Sequence, residues 1–165
     1  MLSIATRILL VLAAFLSGLL AGGDIDRAFV AMPAWQEVGA VAWAEFSRHA
    51  DLGNGLLLYP FEAFGNTLLT LAAALCFHSD RSASRAAALP LYAACMLAVG
   101  GLGFTVKAAP IMLAIYDVDD PVALQAAFEG FRHWGNLRAI CQVLAFLAQL
   151  AALAMLWRSD QPPQG

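Results

Sequence analysis

The sequence predicts an all-α fold: an antiparallel four-helix transmembrane bundle with an outer amphipathic helix between spans one and two. Three observations carry this. The 165 residues are 61% hydrophobic and 13% charged, against about 45–50% and about 25% for a soluble domain. The mean hydropathy is +0.72. Apolarity is also continuous over stretches of about 20 residues, the length of a bilayer-spanning helix, rather than alternating as in barrel strands. Such a composition excludes a soluble globular enzyme, a disordered chain and a secreted disulfide scaffold. Nine Lys+Arg against twelve Asp+Glu give a net charge of −3 without a basic block, so no nucleic acid is expected as a partner. The bilayer is.

Residues 1–158 read as one integral membrane domain, and 159–165 as a disordered tail. Span one runs from about Ile8 to Gly23, where Gly18-x-x-x-Gly22 suits close helix packing. Arg7, the apolar run and Ala21-Gly22-Gly23 also fit a signal peptide. Between Trp35 and His49, the residues Trp35, Val38, Ala42, Trp43 and Phe46 share one side of a helical wheel. Glu37 and Arg48 lie opposite, so this segment is expected to lie on the membrane surface or cap the bundle. Met32-Pro33-Ala34 predicts a break before it, and Asp51-Leu52-Gly53-Asn54-Gly55 a break after it. Span two covers about Leu56 to Phe77. Span three covers about Ala86 to Ile115, interrupted by Lys107 and Pro110. Asp117-Val118-Asp119-Asp120-Pro121 predicts a turn, after which a helical Val122–Trp134 segment enters span four, about Asn136 to Trp157.

Arg7, Arg81, Arg85 and Arg158 flank the short connections, and most acidic residues fall in the two longer ones. The positive-inside rule places both termini and the Ser79–Arg85 loop in the cytoplasm, with a bacterial inner membrane as the expected location. Trp35, Trp43 and Trp134 then mark the outer boundary as an aromatic belt, and Trp157 the inner one.

Polar residues inside the spans carry the functional signal, because an intramembrane charge usually faces the bundle and has a partner. Glu62, Asn66 and Thr70 are spaced by four on span two. Gly100, Gly103 and Lys107 share a face of span three, and Arg138, Gln142 and Gln149 a face of span four. Threading places nearly all of them in the outer halves, which predicts a polar pocket opening outward. The alternative is that Glu62, Lys107 and Arg138 only neutralise one another near the headgroups. His49, His133 and Glu62 supply the donors of a two-His-plus-carboxylate metal site, although interfacial hydrogen bonding accounts equally for both histidines. No metal is assigned on this basis. His133 has the titration range of an acid–base group. His78 lies a membrane thickness away. Cys76, Cys95 and Cys141 have no metal or redox spacing, and no cofactor motif is present.

Four segments in order resemble one family. They are Gly18-Leu-Leu-Ala-Gly22 leading to Met32-Pro33-Ala34, the Trp43-Ala-Glu-Phe46 helix, Phe104-Thr105-Val106 through Pro110, and Trp134-Gly-Asn136-Leu-Arg138. Over about residues 8–157 the chain is similar to the anthrone oxygenase-like family of small four-helix membrane proteins. After the span-three proline that family often carries Asn, where this chain has Ile111-Met112. The resemblance implies a membrane oxygenase acting on a hydrophobic aromatic or quinone-like substrate. It implicates Trp134, Asn136 and Arg138, with Thr105 and Pro110 on span three; Trp134, Asn136 and Thr105 then join Asn66 and Gln142, taken from the polar faces above, as substrate-binding candidates. Under it, Glu62 or His133 is the base, and Arg138 and Lys107 stabilise developing negative charge. A non-enzymatic binding or assembly subunit is the second reading. A small transporter, needing a homo-oligomer, is the third.

Overall fold

A computed structural model describes residues 2–80 and 85–158; most of the expected Ser79–Arg85 loop and the 159–165 tail lie outside the described residues. Every regular element among the described residues is helical. Four stretches (Ile4–Val38, Ala40–Ser79, Arg85–Ala114 and Pro121–Arg158) are long and apolar enough to cross a membrane. Large apolar side chains such as Phe15, Leu68, Leu75, Met96 and Leu147 are exposed around them, as expected where lipid rather than water is the solvent.

The bundle consists of α1 (Leu2–Asp26), α4 (Gly55–Ser79), α5 (Ala88–Ala114) and α6 (Pro121–Arg158), with α2 (Met32–Val38) and α3 (Ala40–His49) between α1 and α4. The broadest contacts are α5 on α6, α1 on α4 and α1 on α6, with a narrower one between α4 and α5. Directions follow from residue pairs. Arg7 donates to the Leu156 carbonyl at 3.0 Å while Asp24 meets Arg138 at 2.7 Å, so α1 and α6 run in opposite senses. Cys95 against the Thr70 carbonyl and Tyr92 against His78 give the same relation for α4 and α5.

Small residues set the close approaches. A Cβ on Gly65 would lie 2.8 Å from Leu16, and one on Gly18 would lie 3.2 Å from Phe146, whereas Gly22 has open space. On α5 the buried stripe is Leu91, Ala94, Ala98, Gly101, Ala108 and Met112. The expected face of Gly100, Gly103 and Lys107 is therefore not the packed one. Lys107 sits next to a stripe residue and thus about 100° round the helix from it.

The connections differ in part from the sequence expectation. No break occurs at Met32–Ala34: a π-helical turn, Arg27–Ala31, carries α1 into α2, with Pro33 in the first turn where a missing N–H costs little. The break falls instead at Gly39, whose φ of +97° is accessible to glycine but strained for other residues. The break expected at Asp51–Gly55 is present: within the turn Ala50–Asn54 the backbone leaves helical geometry at Gly53 (φ −88°, ψ −116°) and the chain kinks into α4. Pro110 does not interrupt α5; it lies within the helix. The amphipathic segment is consequently two helices, and α3 buries Ala40, Trp43, Ala44 and Ser47. Trp43, expected at the lipid interface, is fully buried against Phe128 and Phe131 at 5.1 and 5.9 Å between ring centroids.

At 1.5 Å per residue, the 38 residues of α6 reach about 57 Å, longer than the apolar layer, so its first turns carry α3 beyond the spans. Asp120 starts this helix. Its carboxylate accepts the Ala123 N–H at 3.0 Å and Pro121 follows at the first helical position. Arg48 of α3 donates to the Ile115 and Val118 carbonyls and pairs with Asp119, pinning the same turn. Asp120→Ala should lower stability by about 1 kcal/mol, readable as a shifted denaturation midpoint in detergent, while Asp120→Asn should stay within a few tenths of the parent.

Two apolar clusters fill the bundle. One, around Leu10, Phe77, Leu91 and Leu156, packs the end where α1 begins; the other, around Trp43, Met112, Phe128 and Phe131, packs the α3 end. Between them lie buried polar residues and a cavity.

Candidate functional site

A cavity of about 590 Å³ opens between α1, α4 and α5 at the α3 end, within the usual 300–1,000 Å³ of small-molecule sites. Its origin is a divergence of two helices. The hydrogen bonds and ring contacts between α4 and α5 among the described residues (Cys95 to the Thr70 carbonyl, Phe77–Tyr92 and His78–Tyr92) all lie toward the opposite end. Nearer Glu62 the two helices line a common space instead. Its rim residues Leu56, Phe64, Val106 and Leu113 are 48–65% exposed, so the opening lies on the apolar outer surface of the bundle.

The polar part of the wall is built from ion pairs. Arg138 of α6 donates to Asp24 of α1 at 2.7 Å, with side-chain exposures of 17% and 7%. Arg27, on the π turn Arg27–Ala31, pairs with Asp51 on the turn Ala50–Asn54. Its guanidinium also reaches the Tyr59 hydroxyl at 3.4 Å and lies 5.5 and 5.6 Å from the Tyr59 and Phe131 rings. Each of these turns thus contributes one charged residue to the cavity wall. The two arginines are therefore already committed to carboxylates. Glu62, 8% exposed and lining the same cavity, has no hydrogen-bond or ion-pair partner among the described residues. Asp26 on the same wall also lacks a partner among the described residues but is exposed, so Glu62 is the buried carboxyl group available as a proton acceptor.

Behind the cavity lies a fully buried polar quartet. Gln142 lines the floor. Asn66 contacts Gln142 at 3.4 Å, Gln149 contacts Asn66 and Thr70 at 2.8 Å each, and Thr70 donates to the Asn66 carbonyl at 2.7 Å. These bonds tie α4 to α6 across the centre of the bundle.

Of the residues singled out from sequence, the cavity unites Glu62, Arg138, Thr105 and Gln142, with Asn66 directly behind. Thr105 gives its proton to the Gly101 carbonyl at 3.0 Å. The others lie elsewhere. Lys107 is exposed on the outside of α5 and is absent from the cavity wall, so neither neutralisation of Glu62 nor charge stabilisation in the cavity falls to it. Asn136 belongs to a separate shallow cleft beyond the Asp24–Arg138 pair. His133 is exposed with its ring edge-on to Trp134 at 5.1 Å, and Trp134 stacks on Phe104 at 6.2 Å; none of the three lines the cavity.

The metal candidates His49, His133 and Glu62 do not come together. His49 is 82% exposed and bonds Glu45 at 3.3 Å, because α3 turns its Trp43 face inward and leaves His49 outside. No group of three or more metal-binding side chains assembles among the described residues. Sequence reasoning did not place Asp51 and Tyr59 at the site. Tyr59 shares a helical face with Glu62 and Asn66, three and seven residues on, and that spacing was the available signal. Asp51 sits in a segment that reads as a loop.

No family model, curated protein or solved structure matches this chain.

Proposed function

We propose that this small membrane protein takes a hydrophobic, aromatic or quinone-like molecule from the bilayer through the gap between α4 and α5. Glu62 then acts on it as a base. The observation that carries the reading is the 590 Å³ cavity, rimmed by exposed apolar side chains, with one buried carboxyl group in its wall that has no partner among the described residues. The oxygenase chemistry implied by the family resemblance is compatible with that arrangement. Removal of an acidic C–H proton converts an enolisable aromatic ketone into its enolate, the electron-rich form that dioxygen attacks. The positive-inside rule supports a location in a bacterial inner membrane with both termini cytoplasmic, and hence a cavity in the outer half.

The test uses detergent-purified protein with menadione as a binding probe and anthrone as a substrate. Menadione should raise the thermal midpoint of the parent and of Glu62→Gln equally, since the amide preserves shape. Oxygen consumption with anthrone should fall at least 100-fold in Glu62→Gln, the usual contribution of a positioned base. Unchanged consumption would remove Glu62 from the chemistry, and no thermal shift in either protein would refute the cavity as a ligand site. A second reading, a non-enzymatic assembly subunit, is favoured by the mutual pairing of Asp24 with Arg138 and Arg27 with Asp51. It predicts neither a thermal shift nor oxygen consumption.

A further inference from the structure

We infer that Gln142 is held as an oriented hydrogen-bond donor at the cavity floor, so that the ligand presents a carbonyl oxygen there. This rests on reading the cavity as a ligand site, and proton bookkeeping in the quartet carries it. A backbone carbonyl only accepts, so Thr70, 2.7 Å from the Asn66 carbonyl, gives it its one hydroxyl proton. The Thr70 oxygen must then accept from Gln149 Nε2 at 2.8 Å. The second hydrogen of that nitrogen goes to Asn66 Oδ1, also at 2.8 Å. Asn66 therefore turns its Nδ2 toward Gln142, which receives it on Oε1. Two groups remain: Gln149 Oε1, an acceptor buried without a partner, and the Gln142 Nε2 group at the cavity, with two hydrogens and no acceptor among the described residues.

Three further facts fit. Asn66, Thr70, Gln142 and Gln149 are 0–1% exposed, so water does not reset the amides. Gly101 opposite leaves space for the donor, since a Cβ there would lie 2.9 Å from Gln142 Nε2. Gln142 itself lines the cavity. Glu62 precedes Asn66 by one helical turn, so the acceptor and the donor of the site come from α4 and α6 at successive levels. Gln142 is then a binding residue, and Asn66, Gln149 and Thr70 are positioning residues. A donor aimed at a carbonyl would also strengthen its bond as negative charge grows on that oxygen, which couples the floor to the action of Glu62.

The test compares 9-fluorenone with fluorene, which has the same ring system without the oxygen, on the detergent-purified full chain, corrected for partition into detergent. The parent should bind fluorenone about tenfold more tightly than fluorene, the worth of one good hydrogen bond. The infrared carbonyl stretch of bound fluorenone should move to lower frequency than in detergent alone. In Gln142→Leu the affinity ratio should fall to about one and the shift should vanish. In Asn66→Leu the amide loses its orientation, and the ratio should drop to about threefold or less. An unshifted stretch in the parent, or a tenfold ratio that survives Gln142→Leu, overturns the proposal; a full ratio in Asn66→Leu overturns the orienting relay. The parent measurement decides even if a variant fails to fold. If the parent binds neither compound, the ligand-site reading itself falls; if it binds both equally, only this inference does.

Discussion

Replacing Arg138 with alanine is expected to destabilise the bundle by about 3–5 kcal/mol, the range found when one partner of a buried ion pair is removed. Asp24 is 7% exposed, and Arg138 at 2.7 Å is its partner. Without the guanidinium the carboxylate is left uncompensated in a medium that solvates charge poorly. The effect should therefore come from the stranded charge more than from the lost contact. Asp24→Asn combined with Arg138→Ala separates these contributions, because no charge then remains. The double variant should recover at least half of the loss. Denaturation midpoints in one detergent, over a double-mutant cycle, give the coupling directly. A single-variant loss below about 1 kcal/mol would mean that water reaches the pair. The consequence for the site is geometric: this pair fixes α1 against α6 where the cavity wall needs both.

The span limits were legible because a helix crossing an apolar layer has to be apolar over about 20 residues. Span two was expected from Leu56 to Phe77, and α4 runs from Gly55 to Ser79. The connections were legible only in part. A π turn differs from an α turn by one residue and leaves no compositional mark, so nothing in the composition announces Arg27–Ala31, whereas Gly53-Asn54-Gly55 does mark the kink at Gly53. Gly39 carries the other interruption, yet in sequence it is one of 13 glycines; only its positive φ distinguishes it.

Legibility of the site divides along the same line. Glu62, Asn66 and Thr70 were found because spacing by four on one helix is a local property, and all three are buried. Lys107 was misplaced because in a helix that is apolar all round, hydropathy cannot tell the face toward lipid from the face toward protein. The small residues Ala94, Ala98, Gly101 and Ala108 mark the packed face of α5 better. The pairing of Asp24 with Arg138, 114 residues apart, is a tertiary fact. Sequence places Arg138 in the outer half of span four but does not name its partner, and it does not pair Arg27 with Asp51.

Ligand binding should be lost at least 100-fold, about 2.7 kcal/mol, in Thr105→Trp. Thr105 lies on the cavity wall one helical turn beyond Gly101, over the Gln142 floor. Its hydroxyl proton is already engaged by the Gly101 carbonyl at 3.0 Å, so removing the hydroxyl alone takes little from a ligand. Thr105→Ala should accordingly change menadione affinity by no more than about twofold, while the indole occupies the space in which the ring system would lie. The fold should tolerate the larger side chain because it enters a void instead of a packed core, where overfilling typically costs 1–3 kcal/mol. Titration of the thermal midpoint with menadione measures both variants. A Thr105→Trp protein that melts at least as high as the parent and no longer responds to menadione would assign the ligand to this cavity. One that still responds fully would move the ligand to another surface of the bundle. A large loss in Thr105→Ala would instead make the hydroxyl oxygen an acceptor for the ligand, a role its second lone pair permits.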